Sequence, residues 1–172
     1  MSFRRLIPAI LALLAIFAIA GCANYRLGTG AEPSFSTLYI EPVESHAVLP
    51  QARAILATQL RDTFERDGRV TLASSPETAD ATLQVVIRDF ERDVASVRES
   101  DTRLARKFTL TLATSCTLRD RRTGNTIFSD RIISTQRDAM TDGGQLQSEY
   151  QTIPLLAESL ARKIQHAVLD VW

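Results

Sequence analysis

The residues that could support catalysis or metal binding are few and far apart in the sequence. The two histidines, His46 and His166, have no cysteine or carboxylate partner at the spacing of metal ligands. The sequence also lacks a Gly-x-Ser-x-Gly turn, a phosphate-binding loop and a His-Glu-x-x-His motif. These residue types predict no enzyme, no metal site and no cofactor.

Three carboxylates at alternate positions are the arrangement closest to a catalytic one. On a β-strand, Asp89, Glu91 and Asp93 would share one face, where a hydrolase could use a pair of them. Arg88 and Arg92 are interleaved with these acids, a pattern typical of a solvated strand. We therefore prefer the solvated strand and keep the hydrolase as the weaker hypothesis.

Basic residues concentrate in two short segments. The candidate cations are Arg103, Arg106 and Lys107 in the first segment, and Arg119, Arg121 and Arg122 in the second. Lysine and arginine bind phosphates through charge-assisted hydrogen bonds, so both segments are candidate phosphate contacts. The alternative is solubilising charge, balanced by Asp101 and Asp120.

The N-terminus has the pattern of a bacterial lipoprotein signal peptide. Two arginines precede an apolar run over residues 6–20, which is shorter than the roughly 20 residues that a membrane span needs. The run ends in Ile19-Ala20-Gly21-Cys22, which resembles a lipobox. We predict a signal peptide over residues 1–21 and lipidation of Cys22. The alternative is ordinary secretion, for which Ala18-Ile19-Ala20 offers a cleavage site.

The residue after the cysteine indicates the membrane to which the protein is sorted, and the charge of the mature chain argues against one class of partner. In the enterobacterial sorting rule, an aspartate directly after the lipidated cysteine keeps a lipoprotein in the inner membrane. The residue here is Ala23, so we expect an outer-membrane lipoprotein, lipid-anchored on the periplasmic side. Removing Arg4 and Arg5 with the signal leaves 18 basic residues against 20 acidic ones. A general nucleic-acid-binding protein would be strongly basic, so nucleic acid is not an expected partner.

The first half of the mature chain predicts a strand, a helix and a second strand. Residues 22–34 are expected to be a lipidated tether, and residues 35–172 a single domain. Apolar residues alternate over 37–43 and again over 69–73, while between them they recur every four residues from Pro50 to about residue 66. This order predicts two parallel strands joined by a helical crossover.

The second half predicts three strands and a long helix. Alternation over 80–93, 108–118 and 127–134 indicates an antiparallel meander with a hairpin turn at residues 120–125. The polar segment 95–107 is expected to be a long exposed loop or the end of a hairpin. A break is expected at 138–144, followed by a helix over about 149–171 in which Pro154 lies in the first turn or marks a kink. The predicted fold is α+β: a two-layer sandwich with a mixed four- to five-stranded sheet covered on one face by two helices.

Cys116 is the second of two cysteines and would have no intramolecular partner once Cys22 is lipidated. It lies in phase with Leu110, Leu112 and Leu118. A small buried apolar residue is preferred to a reactive thiol.

Taken in order, these segments resemble the LptE-type lipopolysaccharide-assembly lipoproteins. The resemblance rests on Tyr25-Arg26-Leu27-Gly28 after the lipobox, on residues 37–43 and 79–83, and on the tail from Tyr150 through Ala161. It implies a protein that plugs the lumen of an LptD-type outer-membrane β-barrel, assists assembly of that barrel and binds lipopolysaccharide. The two basic segments would then face lipopolysaccharide phosphates.

A second functional hypothesis is an outer-membrane lipoprotein that activates a periplasmic cell-wall synthase. Such a protein usually needs a long tether to cross the periplasm. The tether predicted here has about a dozen residues, which favours a partner at the membrane itself.

Overall fold

The computed structural model describes residues 33–97, 105–140 and 145–170. The predicted signal peptide, Cys22, Arg103 and nearly all of the predicted tether lie outside these residues. The described residues form a six-stranded mixed sheet and two α-helices. The predicted α+β architecture is confirmed.

Helix α1 (Pro50–Asp67) has the bounds that its sequence pattern predicts, within one residue. Ala52, Leu56, Leu60 and Phe64 recur at every fourth position and are fully buried. Pro50 occupies the first turn, where its missing N–H costs nothing. Gly68 ends the helix in the left-handed region, with φ of 72°, and donates its N–H to the Phe64 carbonyl at 3.3 Å.

Three short strands line one edge of the sheet. Strand β1 (Thr37–Ile40) lies between β3 (Thr71–Leu72) and β4 (Ala81–Val97) and is parallel to both, so the predicted parallel pair is confirmed. The predicted strand over 37–43 is too long, because pairing stops at Ile40, shortly before Pro42. Pairing with β4 resumes at β2 (Glu44–Ser45), further along the same edge.

The meander consists of β4, β5 (Ala105–Asp120) and β6 (Thr126–Met140), paired antiparallel as predicted. All three strands are longer than the alternation suggests. Of the two alternatives for 95–107, a loop or a hairpin end, the hairpin end is correct, because Ser96 and Val97 pair with Lys107 and Ala105. Strand β6 continues to Met140, past residue 138 where a break is predicted. Backbone hydrogen bonds between neighbouring strands support these ends, where charged side chains obscure the apolar alternation.

Helix α2 (Gln145–Leu169) begins earlier than predicted. Pro154 therefore lies inside the helix and not in its first turn, and it removes the N–H that the Tyr150 carbonyl would otherwise accept. The stripe of Ile153, Leu156, Leu160 and Ile164 is buried. Both helices pack against the main apolar cluster, which includes Leu38, Leu83 and Leu118.

The far half of the meander is covered by α2. Phe108, Leu110 and Ala139 form a second apolar cluster there with Leu156 of α2. None of the residues assigned to this cluster belongs to α1. The sheet thus has a near end, under two helices, and a far end, under the first half of α2.

An ion-pair network joins the ends of the two helices. Arg69 contacts the Asp67 carboxylate at 2.7 Å and the Asp170 carboxylate at 2.8 Å. Arg69 holds the pKa of both carboxyl groups below the usual range. His166, which lies off the buried stripe as its position predicts, contacts Asp170 at 2.9 Å. Among the described helices none combines the length and the apolarity that a membrane crossing requires.

Candidate functional site

The two basic segments lie at opposite ends of the long central strand. Lys107 and Arg119 are both in β5, twelve residues apart, which corresponds to about 40 Å along a strand. The segments therefore flank one strand, as a meander allows, but they cannot bind one phosphate group together. Arg106 is within β5, and its side chain is outside the described set.

At the far end, Lys107 is paired within the protein. Its Nζ lies 2.7 Å from the carboxylate of Asp138, which is the diagonal neighbour on β6, directly opposite Thr109. Thr109 donates its hydroxyl to the same carboxylate at 2.9 Å. These two contacts hold the pKa of Asp138 below its usual range. A phosphate at Lys107 would have to compete with this carboxylate.

At the near end, the β5–β6 turn is built around Asp120. Its carboxylate is buried and accepts the backbone N–H groups of Arg122, at 2.8 Å, and of Thr123, at 3.2 Å. Gly124 adopts a φ of 72°, a conformation that glycine provides without steric cost. The turn predicted at 120–125 is confirmed, and Asp120 stabilises it through the backbone.

The arginines of this near-end turn are on its outer surface. Arg119, Arg121 and Arg122 are all exposed. Arg122 donates to the Ser34 carbonyl at 2.7 Å and lies 3.9 Å from the Asp120 carboxylate. Among the described residues, the guanidinium groups of Arg119 and Arg121 make no hydrogen bond or ion pair. Arg121 interacts electrostatically with the exposed Glu77 carboxylate. Arg119 can bind a phosphate without losing a contact to another described residue.

The same end of the sheet holds the start of the domain. The Asp80 carboxylate accepts the Ser36 backbone N–H at 3.0 Å, the Ser36 hydroxyl at 2.8 Å and the Thr37 backbone N–H at 3.0 Å. Asp80 also accepts, at its carbonyl, the N–H of Arg121 at 2.7 Å. Together with the Arg122–Ser34 bond, these contacts fasten the first residues of the domain to the basic turn. The sequence does not reveal this, because Ser36 and Asp80 are 44 residues apart.

The Asp80 clamp predicts a specific pH dependence of stability. Three donors to its carboxylate hold the pKa of Asp80 well below the usual range, so the ionised form favours the folded state. We expect Asp80→Asn to be less stable than the parent at neutral pH. That difference should shrink as the pH falls through the folded-state pKa, where the parent also loses the charge. Urea unfolding between neutral and acidic pH measures this, with Glu65→Gln on the exposed face of α1 as the control. A deficit that stays constant with pH would contradict the clamp.

The three alternating carboxylates lie on a solvated strand, which is the interpretation preferred from the sequence. Asp89, Glu91 and Asp93 are exposed and lie opposite Ala113, Thr111 and Thr109, away from the helices. The Asp89 carboxylate accepts the neighbouring backbone N–H of Phe90 at 2.8 Å. Within the described ranges, no group of three or more histidine, cysteine or acidic side chains is placed to hold a metal ion.

Cys116 is the buried apolar residue that its phase predicts. It is fully buried, and desolvation raises the pKa of its thiol to about 11. Thr114 lies 3.8 Å from the sulfur. A thiol with these properties is a poor nucleophile at neutral pH.

The burial of Cys116 predicts the result of a thiol titration of the mature protein. We expect no rapid reaction with a thiol reagent in the folded state, and one reactive thiol per chain after denaturation, if Cys22 is held in a thioether. Two thiols after denaturation would show that Cys22 is unmodified. Rapid reaction of the folded protein would show that Cys116 is accessible.

A groove runs beside the free edge of β4, beyond the end of β2. It has a volume of about 580 Å³, and its lining includes Leu49, Phe90, Arg92, Tyr150 and Ile153. Arg92 contacts Glu149 across it at 2.8 Å. The sequence could not predict this groove, because its walls come from the β2–α1 loop, from β4 and from α2.

Comparison with known proteins places the chain in a family. Residues 35–168 match the family model LptE, described as lipopolysaccharide-assembly. This match extends from just before β1 almost to the end of α2. None of the curated protein sequences matches the chain closely enough to be counted as a relative.

Solved structures share the fold at low sequence identity. Lipoprotein B from Nitrosomonas europaea is 18% identical, with a TM-score of 0.55, over 84% of this chain and 88% of its own. The rare lipoprotein B from Shewanella oneidensis is 12% identical, with a TM-score of 0.52, over 77% and 92%. A minor lipoprotein from Acinetobacter baumannii is 18% identical, with a TM-score of 0.50, over 77% and 92%. The chain belongs to the LptE family of lipopolysaccharide-assembly proteins.

Proposed function

We propose that this protein is a non-enzymatic outer-membrane lipoprotein that plugs an LptD-type β-barrel, assists assembly of that barrel and contacts lipopolysaccharide on its way to the cell surface. The observation that carries the proposal is the family match over residues 35–168, which spans all six strands and nearly all of both helices. Lipidation of Cys22 would hold the protein at the membrane where such a barrel resides.

The uncovered face of the meander supports a role as a plug. Thr82, Ser115 and Thr117 face away from the helices, and each is less than 9% exposed because neighbouring side chains cover it. Arg88 and Asp130 both approach the Ser115 hydroxyl, at 3.4 and 3.1 Å. On this face charged side chains such as Arg88 and Asp130 lie over the hydroxyl groups, so the surface is polar along β5. A polar surface suits the interior of an outer-membrane barrel, which is itself polar.

The exposed arginines support contact with phosphates. The candidates from sequence remain Arg103, Arg106, Lys107, Arg119, Arg121 and Arg122. Of those whose side chains are described, Arg119 and Arg121 are exposed, and Arg119 makes no hydrogen bond or ion pair with another described residue. Arg121 interacts electrostatically with Glu77, and Lys107 is paired with Asp138. Phosphate groups of lipopolysaccharide have the charge and the acceptor geometry that a guanidinium binds.

The test is a pull-down of the tagged mature protein from gently solubilised outer membranes. We expect a large β-barrel protein to copurify in stoichiometric amount, and depletion of this lipoprotein to stop both barrel assembly and lipopolysaccharide export. Barrel assembly that continues without this protein would refute the plug. Copurification of a cell-wall synthase would favour the activator hypothesis in its place.

A paired substitution tests the non-enzymatic part of the proposal. Asp89→Asn with Glu91→Gln removes the carboxylates that a hydrolase would use, on an exposed and solvated strand. We expect lipopolysaccharide export to be restored fully by this variant in depleted cells. Loss of export with normal protein levels would revive the hydrolase.

A further inference from the structure

We infer that the free edge of β4, from Phe90 to Val94, is a strand-addition site that binds an extended segment of the barrel partner. The bound segment would carry apolar side chains on the face toward the helices and basic side chains on the opposite face. This inference rests on the proposed function, and it names the surface at which the plug binds the barrel protein and the chemistry of the segment bound there.

The backbone of β4 is unpaired on one side over its second half. Strands β1 and β2 pair with β4 as far as Ile87, and no described strand continues this pairing. In an antiparallel ladder, every second residue directs its N–H and C=O away from the partner strand. The Asp89 carboxylate accepts the N–H of Phe90 at 2.8 Å, which indicates that Phe90 is such a residue. The register with β5 is regular from Asp89 to Val94, so Arg92 and Val94 also present backbone groups at this edge.

The other edge of the sheet, β6, is protected against an added strand. Lys163 of α2 donates to the Ser134 carbonyl at 2.8 Å, and the Ser148 hydroxyl of α2 donates to the Met140 carbonyl. A register shift around Asp130, which has a φ of 48°, also disturbs this edge. Covering side chains and bulges are the features with which sheets prevent strand addition. Among the described residues, no side chain of α2 covers the backbone of β4 from Phe90 to Val94 in this way.

Exposed apolar side chains surround the free edge of β4. Val94 is 58% exposed, and Val48 and Tyr150, which line the adjacent groove, are 99% and 57% exposed. Arg92 contacts Glu149 at 2.8 Å and so holds the start of α2 beside the edge. In strand addition, backbone hydrogen bonds provide affinity, and pockets for alternate side chains provide specificity. The groove of about 580 Å³ is such a pocket for the apolar side chains of an added strand.

The opposite face of the same edge is acidic. Asp89, Glu91 and Asp93 are exposed there, opposite uncharged residues of β5. Among the described residues, Glu91 and Asp93 make no hydrogen bond or ion pair. Lysine or arginine at matching positions of an added strand would form cross-strand pairs with them. Exposed pairs of this kind select the partner more than they raise affinity, so Asp89→Asn with Glu91→Gln should still support export.

A second copy of the chain does not suit this edge. Two β4 edges paired with each other would bring their acidic faces together, since residues directly opposite each other point to the same side of a sheet. Glu91 and Asp93 of one copy would then lie against acidic residues of the other copy. Like charges in this arrangement are destabilising.

The segments of the chain outside the described residues cannot reach the edge either. The tether alternates apolar and basic residues only at 25–27, and the six residue steps from Leu27 to Pro33 span at most about 22 Å. Phe90 lies about 30 Å along β4 from Ala81, which pairs with β1 close to where the chain enters. Residues 98–104 must close the turn between two paired positions, 97 and 105, and are too few to run back to Phe90 and return. The edge is therefore assigned to the partner.

The experiment uses the mature lipidated protein in its own outer membrane, with the barrel partner present. A benzophenone amino acid replaces Val48 at the groove, and the peptide that it captures on irradiation is identified by mass spectrometry in the purified barrel complex. Val94→Lys adds a charge at an exposed position of the edge and should not disturb folding. Ile132→Lys is the matched control, because Ile132 is 64% exposed on the protected edge β6.

We expect one contiguous segment of the barrel protein to be captured, with apolar residues alternating with lysine or arginine. Val94→Lys should lower the yield of this cross-link about tenfold, whereas Ile132→Lys should leave it unchanged. Glu91→Lys with Asp93→Lys should lower the yield as well. Glutamates at the basic positions of the captured segment should then restore it, which a defect in folding would not allow.

Cross-links that are scattered over the barrel protein, or that Val94→Lys leaves unchanged, would overturn the inference while copurification of the barrel upholds the proposed function. Capture of residues 23–32 would assign the edge to the tether, and capture of a second copy would assign it to a dimer. Absence of the barrel protein from the purified complex is a different result, because it would refute the proposed function and the partner named here with it.

Discussion

Phe64→Ala is expected to lower the free energy of unfolding by about 3–5 kcal/mol. Phe64 is fully buried in the main apolar cluster, near the end of α1 and before the Gly68 cap. Its replacement removes a large apolar side chain and leaves a cavity that the surrounding sheet and α2 cannot fill. Because a domain of this size is stable by only about 5–15 kcal/mol, this single change should remove a large part of the total.

Equilibrium unfolding in urea gives the measurement for this prediction. Arg61→Ala is the matched control, since it is one turn earlier on the exposed face of the same helix and should change stability by less than about 0.5 kcal/mol. Phe64→Leu should fall between the two. A loss at Phe64→Ala no larger than that of the control would mean that α1 is not packed as described.

The elements with strong apolar periodicity could be predicted from the sequence, because their side-chain pattern mirrors the core. Leu56, Leu60 and Phe64 repeat every four residues and are all buried, and the bounds of α1 follow within one residue. Alternation likewise located β4, β5 and β6. It failed at the strand ends, where backbone pairing supports residues such as Met140 that are not buried.

Features that depend on contacts between distant segments could not be predicted. The two-residue strand β2 has too few side chains to show a period. The sequence predicts the start of α2 too late because the first turns of this helix lack a continuous apolar stripe. Of the two predictions for Pro154, a first turn or a kink, the first is therefore wrong. In each case the fold is determined by tertiary pairing that local residue types do not encode.

For the candidate site as well, residue types predict some features, and contacts between distant segments determine the others. Residue type alone identifies the two basic segments, and a meander allows both of them to flank one strand. Their separation of about 40 Å follows from β5 being continuous through positions that were predicted as a loop. The clamp by Asp80 and the pairing of Lys107 with Asp138 arise only when separated segments meet, and the pairing occupies one of the candidate cations.

Cys22→Ser is expected to abolish lipid attachment and to move the protein from the detergent phase into the aqueous phase on phase separation. Each buried methylene of an acyl chain contributes about 0.8 kcal/mol, and stable anchoring requires at least two chains. A lipobox cysteine is the attachment point for those chains, and serine has no thiol with which to form the thioether. The measurement combines this partition with incorporation of labelled palmitate and with the mass of the mature N-terminus.

Cys116→Ala is the matched control for Cys22→Ser, because it removes the other cysteine of the chain from a fully buried position. It should keep both the label and the partition into detergent. A parent protein whose mature N-terminus is Gly21, without an acyl group, would instead show cleavage after Ala18-Ile19-Ala20 and ordinary secretion. That result would remove the lipid anchor. It would leave the family membership intact, because that rests on residues 35–168.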